Sequence, residues 1–455
     1  MTQKIAAPRG THDTLPPDER LVALVEETAA RLFARHGLRE IRTPIFEATE
    51  LFARGVGTET DMVAKEMYTF TDRGDRSLTL RPEGTAGVVR AYVEGRLDQA
   101  LPQPARLWYG GPMFRYERPQ KGRQRQFHQI GVEVLGSSSP AVDAEMIVLA
   151  HDLQHDLLDA ACAWLRDCGV AVPDGLRPMP LEVRINSLGD AACRPAYREA
   201  LQEWLRQGAG TYCADCLRRT ESNPLRVLDC KVPACRARNA GAPRLQPCAS
   251  CLDHAAQVRE MLEAADVRVV EDPALVRGLD YYSRTVFEMV PAGGGEAAQA
   301  TVCAGGRYDG LVAELGGADT PAFGWALGLE RTVQRLEALL ADLSPEDRSR
   351  LRADRPALFM GALEPRALVE VFRMGVALRR QGFSVQWLPV AAKPDRILKA
   401  AVRADARQLL LVGSDELDSG RARLKDLATR EQRDVNLVAV DLGACLKSAG
   451  PGLAS

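Results

Sequence analysis

Phe127–Leu135 alternates strictly. Ile130, Val132 and Val134 share one face, while Gln129, Gly131 and Glu133 share the other. A period of two is a strand's signature. This strand is apolar on one side and carries an amide, a glycine and a carboxylate on the other. The apolar face needs a core. Gly131, between two polar side chains, leaves room for a ligand to lie against the sheet, and a solvated face is the competing reading. Immediately upstream, Arg115, Arg118, Lys121, Arg123 and Arg125 form the densest cation cluster in the chain.

Other segments punctuate the chain into elements. Glu19–His36 has a helical apolar stripe at Leu21, Leu24, Val25, Thr28, Leu32 and Phe33, with Gly37 placed as its left-handed stop. Ser77–Arg81 and Arg106–Gly110 read as strands, and a helix follows Glu83. From about 174 to 256, apolar periodicity weakens and Pro, Arg and Cys become frequent, which suggests an inserted subdomain. Strands resume at Val286, with a Gly-rich turn at Gly293–Gly295. Phe323–Leu340 reads as a strand passing into a helix. SPEDRSRLRADRP is read as a charged linker. After Pro356, strands ALFMGAL, FSVQWLP, QLLLVG and NLVAVDL alternate with two helices, the pattern of a small α/β domain with a mixed or parallel sheet.

With 455 residues, two or three domains are expected. Hydrophobic content of 46% and charged content of 26% are ordinary for a globular protein. No run is long and apolar enough for a membrane span. The amino terminus has no continuous apolar core, so a soluble, cytoplasmic protein is expected. The net charge of −2 argues against bulk-charge binding to nucleic acid but allows a local basic groove.

The chemistry-bearing positions each carry a bland alternative. Arg115, at a strand end, suits an α-phosphate, or is a solvated hairpin tip. Arg331, opening a helix, suits a terminal phosphate, or is a surface cation. Glu83 and Thr85, at a strand-to-helix passage, suit an ammonium group, or simply cap the helix. There is no P-loop and no dinucleotide-binding glycine fingerprint. Eleven cysteines, mostly scattered, fit reduced thiols. Cys213-x-x-Cys216 and Cys248-x-x-Cys251, separated by 31 residues, suggest a zinc ribbon with a gap longer than the usual about 15–20. Reduced thiols are the other reading, and no metal ligand is assigned.

Taken together, the motifs resemble bacterial histidyl-tRNA synthetases, class II aminoacyl-tRNA synthetases, over nearly the whole chain. RTPIFEATELFARGVG, GPMFRYERPQKGRQRQFHQIGVEV and GWALGLERT look like the three class II motifs. LVRGLDYYSRTVFE and AGGRYDGL resemble the family's two histidine signatures. The resemblance implies an α+β fold: an antiparallel sheet of six or seven strands flanked by helices, with an inserted subdomain and a C-terminal α/β anticodon-binding domain. On this reading the catalytic domain is 1–345, the insertion about 174–256, the linker 346–355, the anticodon-binding domain 356–445 and the tail 446–455.

The resemblance also implies a homodimer with Pro44 at its interface, and ATP with Mg²⁺, L-histidine and histidine tRNA as reactants. It assigns Glu83, Thr85 and Gln129 to the substrate α-amino group, and Glu133 and Tyr282 to the imidazole. Arg115 and Arg277 go to the carboxylate and α-phosphate, as the catalytic pair. Arg123 and Arg331 go to the outer phosphates, and Tyr281 and Tyr308 to the pocket lining. Two rivals are weighed. A non-catalytic paralogue regulating histidine biosynthesis typically lacks the C-terminal domain and the catalytic arginines, which are present here. A class II enzyme for another amino acid conflicts with RGLDYY and with the Gln129/Glu133 pair.

Overall fold

The computed structural model describes residues 5–16, 18–57, 60, 62–118, 123–172, 180–228, 230, 232–276, 281–292, 301–352 and 355–447. The chain divides into two compact units, Met1–Ala161 with Gly175–Asp342, and Cys162–Asp174 with Leu343–Ser455.

The strands, in chain order, are β1 (Arg39–Glu40), β2 (Phe46–Ala48), β3 (Tyr68–Thr71), β4 (Ser77–Leu80), β5 (Ala105–Phe114), β6 (Gln126–Leu135), β7 (Leu181–Ser187), β8 (Val269–Glu271), β9 (Ser283–Pro291), β10 (Cys303–Arg307), β11 (Ala322–Gly328), β12 (Leu358–Ala362), β13 (Val385–Trp387), β14 (Gln408–Val412), β15 (Arg421–Asp426) and β16 (Gln432–Asn436).

The first unit is organised by an eight-stranded sheet in the order β1-β5-β6-β11-β10-β9-β7-β8. Six consecutive strands, β5 through β7 in that order, are antiparallel, and β1 and β8 add parallel pairs at the edges. The expected antiparallel sheet is therefore present, with one strand from an unexpected place. Leu181–Ser187 falls in the stretch read as an insertion, yet it pairs with β9 inside the main sheet.

The β6 alternation sorts the two sides of the sheet. Ile130, Val132 and Val134 are buried in a core shared with the helices Glu19–Arg35 and Pro140–Asp167. The first of these helices ends as its Gly predicts. Gly37 has φ +69°, its N–H bonds Ala34 O, and the Leu38 N–H bonds Phe33 O, a Schellman pattern. Tyr109, Tyr281, Tyr282 and Tyr308 pack on the opposite side of the sheet with the helix Thr85–Glu94. A small sheet, β2-β4-β3, carries the segment after Pro44.

The second unit contains a five-stranded sheet, β13-β12-β14-β15-β16, parallel across β13-β12-β14 and antiparallel beyond. Leu358, Met360, Val371, Met374, Leu378 and Leu410 lie in its core. Three local expectations change here. NLVAVDL reads as a strand in the sequence, but only its Asn436 lies in β16, and the helix Ala439–Lys447 follows. β15 lies between QLLLVG and NLVAVDL, where the sequence pattern gives no strand. The linker stretch forms the helix Pro345–Arg352, because the Ser344 hydroxyl caps the Asp347 N–H at 3.1 Å. Gly293–Gly295 lie outside the described residues.

Candidate active site

Glu133 is at the centre of the buried half of the site and is only 1% exposed. One of its oxygens accepts the Thr85 hydroxyl at 2.8 Å and the Tyr109 hydroxyl at 3.4 Å, and the other accepts the Tyr308 hydroxyl. Burial pushes the Glu133 carboxyl up to about 8, against the pull of these hydroxyl donors. The sheet register makes space for it. Glu133 faces Gly324 of β11, where an added Cβ would come within 1.7 Å of a Glu133 oxygen.

Gly131 leaves room, as its sequence context suggests, but the occupant is one of the chain's own side chains. Tyr109, paired with Gly131 across β5–β6, lays its ring there, and a Cβ at Gly131 would meet that ring at 2.4 Å. Arg106–Gly110 reads as a strand in the sequence, but nothing local sets its register against Gly131. Tyr281 packs tilted against Tyr282 and edge-on against Tyr308, with ring centroids 4.8 and 5.5 Å away. Burial keeps the Tyr109, Tyr281 and Tyr308 phenols protonated, so they can serve as donors.

Glu83 does cap its helix. Its two oxygens accept the Thr85 and Ala86 N–H groups at 2.6 and 2.8 Å, at the positive end of Thr85–Glu94. It is buried, and burial raises its pKa despite those bonds. The Thr85 hydroxyl is instead spent on Glu133.

The open half is a cavity of about 1170 Å³ whose lining includes Arg115, Arg123, Gln129, Glu288 and Arg331. Glu83, Thr85, Glu133 and the tyrosines do not line it. Arg115 bridges the two halves. Its Nε donates to Pro82 O at 2.9 Å, its guanidinium lies 5.0 Å from the Phe127 ring, and its charge acts on Glu83.

The Gln129 amide oxygen is buried with no hydrogen-bond partner among the described residues, leaving an acceptor for a ligand. Arg331 donates to Thr301 O at 2.6 Å. Burial, then repulsion from Arg123, lowers its pKa, as expected of guanidiniums crowded around an anion site. Glu330, which sequence reading passed over, anchors this wall. It accepts the His128 N–H at 2.8 Å and contacts His128 Nδ1 at 3.0 Å, fixing the start of Leu329–Leu339 to β6. The hydrogen bond to Glu330 raises the His128 pKa.

Arg277 lies outside the described residues, as do residues 119–122, Lys121 among them. The cysteines regroup. Cys213 and Cys216 lie with Cys230 and Cys235, while Cys248 and Cys251 lie with Asp190 and Cys193. The four-cysteine set suggested by the two C-x-x-C pairs does not converge, because Cys230 and Cys235, from between the pairs, join the first, while Asp190 and Cys193, from upstream of both, join the second.

The histidyl-tRNA synthetase family model matches residues 10–332. The chain belongs to that family. It is similar to a histidine–tRNA ligase of Desulforamulus reducens, 44% identical over 94% of this chain and 96% of the relative. A histidine–tRNA ligase of Desulfitobacterium hafniense is 45% identical over 95% and 96%. Among solved structures, apo histidyl-tRNA synthetase from S. aureus superposes with a TM-score of 0.76 at 32% identity, covering 98% of this chain and 99% of that one. The hydroxyl-ringed Glu133 and the cavity-lining Gln129 share the strand β6.

Proposed function

We propose that the chain joins L-histidine to histidine tRNA in two steps, through a histidyl-adenylate. The observation that carries this reading is the juxtaposition on β6 of an orphaned acceptor, Gln129, facing an arginine-lined cavity, and a buried carboxylate, Glu133, ringed by hydroxyls. Imidazole presents one donor and one acceptor. A carboxyl at Glu133 and the Tyr282 hydroxyl read both, and an apolar side chain would leave them unpaired. Glu83, Thr85 and Gln129 take the α-amino group.

The histidine carboxylate oxygen attacks the ATP α-phosphorus, and pyrophosphate departs with the bonding electron pair. A terminal ribose hydroxyl of the tRNA then attacks the activated carbonyl, forming the ester and releasing AMP. No protein nucleophile is required. Arg115 and Arg277 stabilise charge at the α-phosphate, and Arg123 and Arg331 hold the outer phosphates.

The cavity's carboxylates include Glu117, paired with Arg123, Glu330, paired with His128, Glu271, Asp272, and Glu288, which accepts the Thr301 hydroxyl at 3.4 Å. Mg²⁺ delivered on ATP needs only one or two protein carboxylates, and Glu288 would hold it. Bound there, the ion neutralises phosphate charge. Tyr281 and Tyr308 line the pocket. Residues 356–445 bind the anticodon, the protein works as a cytoplasmic homodimer, and no membrane is involved. Among the described residues, no helix is long and apolar enough to cross one. Ile45 and Phe46, following Pro44, and Phe70 are exposed, as a dimer contact requires.

ATP–pyrophosphate exchange across a panel of amino acids tests the reading. Histidine alone should stimulate it, and stimulation by another amino acid, or by none, would overturn it. The regulatory alternative predicts no exchange at all.

A further inference from the structure

Seven of the chain's eleven cysteines fall between Cys193 and Cys251. They gather at two points. Cys213, Cys216, Cys230 and Cys235 form one group, and Asp190, Cys193, Cys248 and Cys251 form the other. Within each, the four potential ligand atoms lie within 4.8 Å of one another.

The two groups are built alike. Each uses a C-x-x-C whose first cysteine immediately precedes a helix and whose second lies in that helix's first turn, Ala214–Ser222 or Ala249–Ala264. In each, the N–H of that first cysteine donates to a sulfur brought from elsewhere. Cys213 N–H reaches Cys235 Sγ at 3.2 Å, and Cys248 N–H reaches Cys193 Sγ at 3.1 Å.

The spacing decides the chemistry. Cys213 Sγ and Cys230 Sγ are 3.9 Å apart, Cys193 Sγ and Cys251 Sγ 3.8 Å, and Cys248 Sγ and Asp190 Oδ2 3.8 Å. A tetrahedral Zn–S bond of about 2.3 Å places sulfurs about 3.8 Å from each other. A disulfide needs about 2.05 Å, and all these cysteines are free. A multi-iron cluster would hold its thiolates farther apart. We propose that each group binds one zinc-class divalent cation, two per chain, the first through four thiolates and the second through three thiolates and one carboxylate.

On binding, each ligating thiol releases its proton to solvent and its thiolate donates an electron pair to the metal. Outer contacts orient the carboxylate. Asp190 Oδ1 accepts the Ala192 and Cys193 N–H groups at 3.0 and 3.2 Å, and Arg284 reaches Asp190 Oδ2 at 3.4 Å. The two sites would staple different things. The first closes a small core containing Leu201, Leu205, Tyr212 and Val227. The second ties the insertion to the start of β9. There Arg284 exchanges backbone hydrogen bonds with Leu188 and Gly189, and Arg194, next to Cys193, donates to Tyr282 O.

The test is elemental analysis of the full chain, purified with a thiol reductant and without chelator, alongside Cys216→Ser and Cys251→Ser. Two zinc ions per chain are expected, with each variant keeping one. A single ion lost by either substitution would mean that the two C-x-x-C pairs share one metal, and would overturn the proposal, as would protein with no bound metal. If a variant does not fold, wild-type protein grown with cobalt gives the answer. Two cobalt ions with tetrahedral visible bands and sulfur-to-cobalt charge transfer support two thiolate sites, and absence of the charge-transfer band excludes them. Neither readout depends on aminoacylation, so failure here leaves the proposed activity standing.

Discussion

Glu133 is a carboxyl placed where water cannot solvate its charge, and its ionisation is therefore a measurable quantity. Its folded value of about 8 stands above the ordinary 4.5. A raised carboxyl favours the protonated folded state. Its contribution to stability is complete below about pH 4.5 and is lost as pH rises through 8. Wild type should lose stability relative to Glu133→Gln over that window, on the order of a few kcal/mol, in urea titrations at pH 5 and pH 8. Parallel curves at both pH values would contradict the burial argument. The same substitution should raise the histidine KM in pyrophosphate exchange at least tenfold while leaving the ATP KM near wild type. Gly324→Ala acts on the same group from the neighbouring strand. Its Cβ would collide with Glu133 and with Val132 O, so it should cost about 1–3 kcal/mol and raise the histidine KM. An unchanged KM would show that Glu133 does not touch the substrate.

At the scale of elements, Arg307 closes β10 by gripping the segment that leads into Pro140–Asp167. Its guanidinium is fully buried and pairs with Asp143, also fully buried, with Asp309, and with the Ser137 and Ser139 carbonyls. His254 adds a 2.8 Å contact to Asp143 from Ala249–Ala264. Three elements thus meet on one buried carboxylate. Arg307→Leu leaves Asp143 without its main countercharge and should cost about 3–5 kcal/mol. A lower urea midpoint with an unchanged slope is the expected observation. Glu330 has a comparable positioning role for Arg331. Neither residue stood out by itself in the sequence, because contacts across 164 and 202 positions have no local signature. The helix stop at Gly37 and the β6 alternation were legible for the opposite reason, since both are set by neighbours in the chain.

For the whole molecule, the exposed Phe46 and Phe70 rings, 6.4 Å apart on the small β2-β4-β3 sheet, are the natural place for self-association. On the proposed homodimer, Phe46→Glu should shift the sedimentation-velocity species from dimer to monomer, with pyrophosphate exchange falling alongside. A variant that stays dimeric would move the interface elsewhere.

The family, the antiparallel sheet and the αβ pattern after Pro356 were legible in the sequence alone. These are carried by periodicity, by turn residues and by short motifs, all local in the chain. Only the tertiary structure decided that Tyr109 fills the space over Gly131, that Leu181–Ser187 joins the main sheet, and that the cysteines form two sets rather than one. Each of those depends on which distant segments the fold brings within a few ångströms, and contact at that range is set by strand register and packing, which no local spacing encodes.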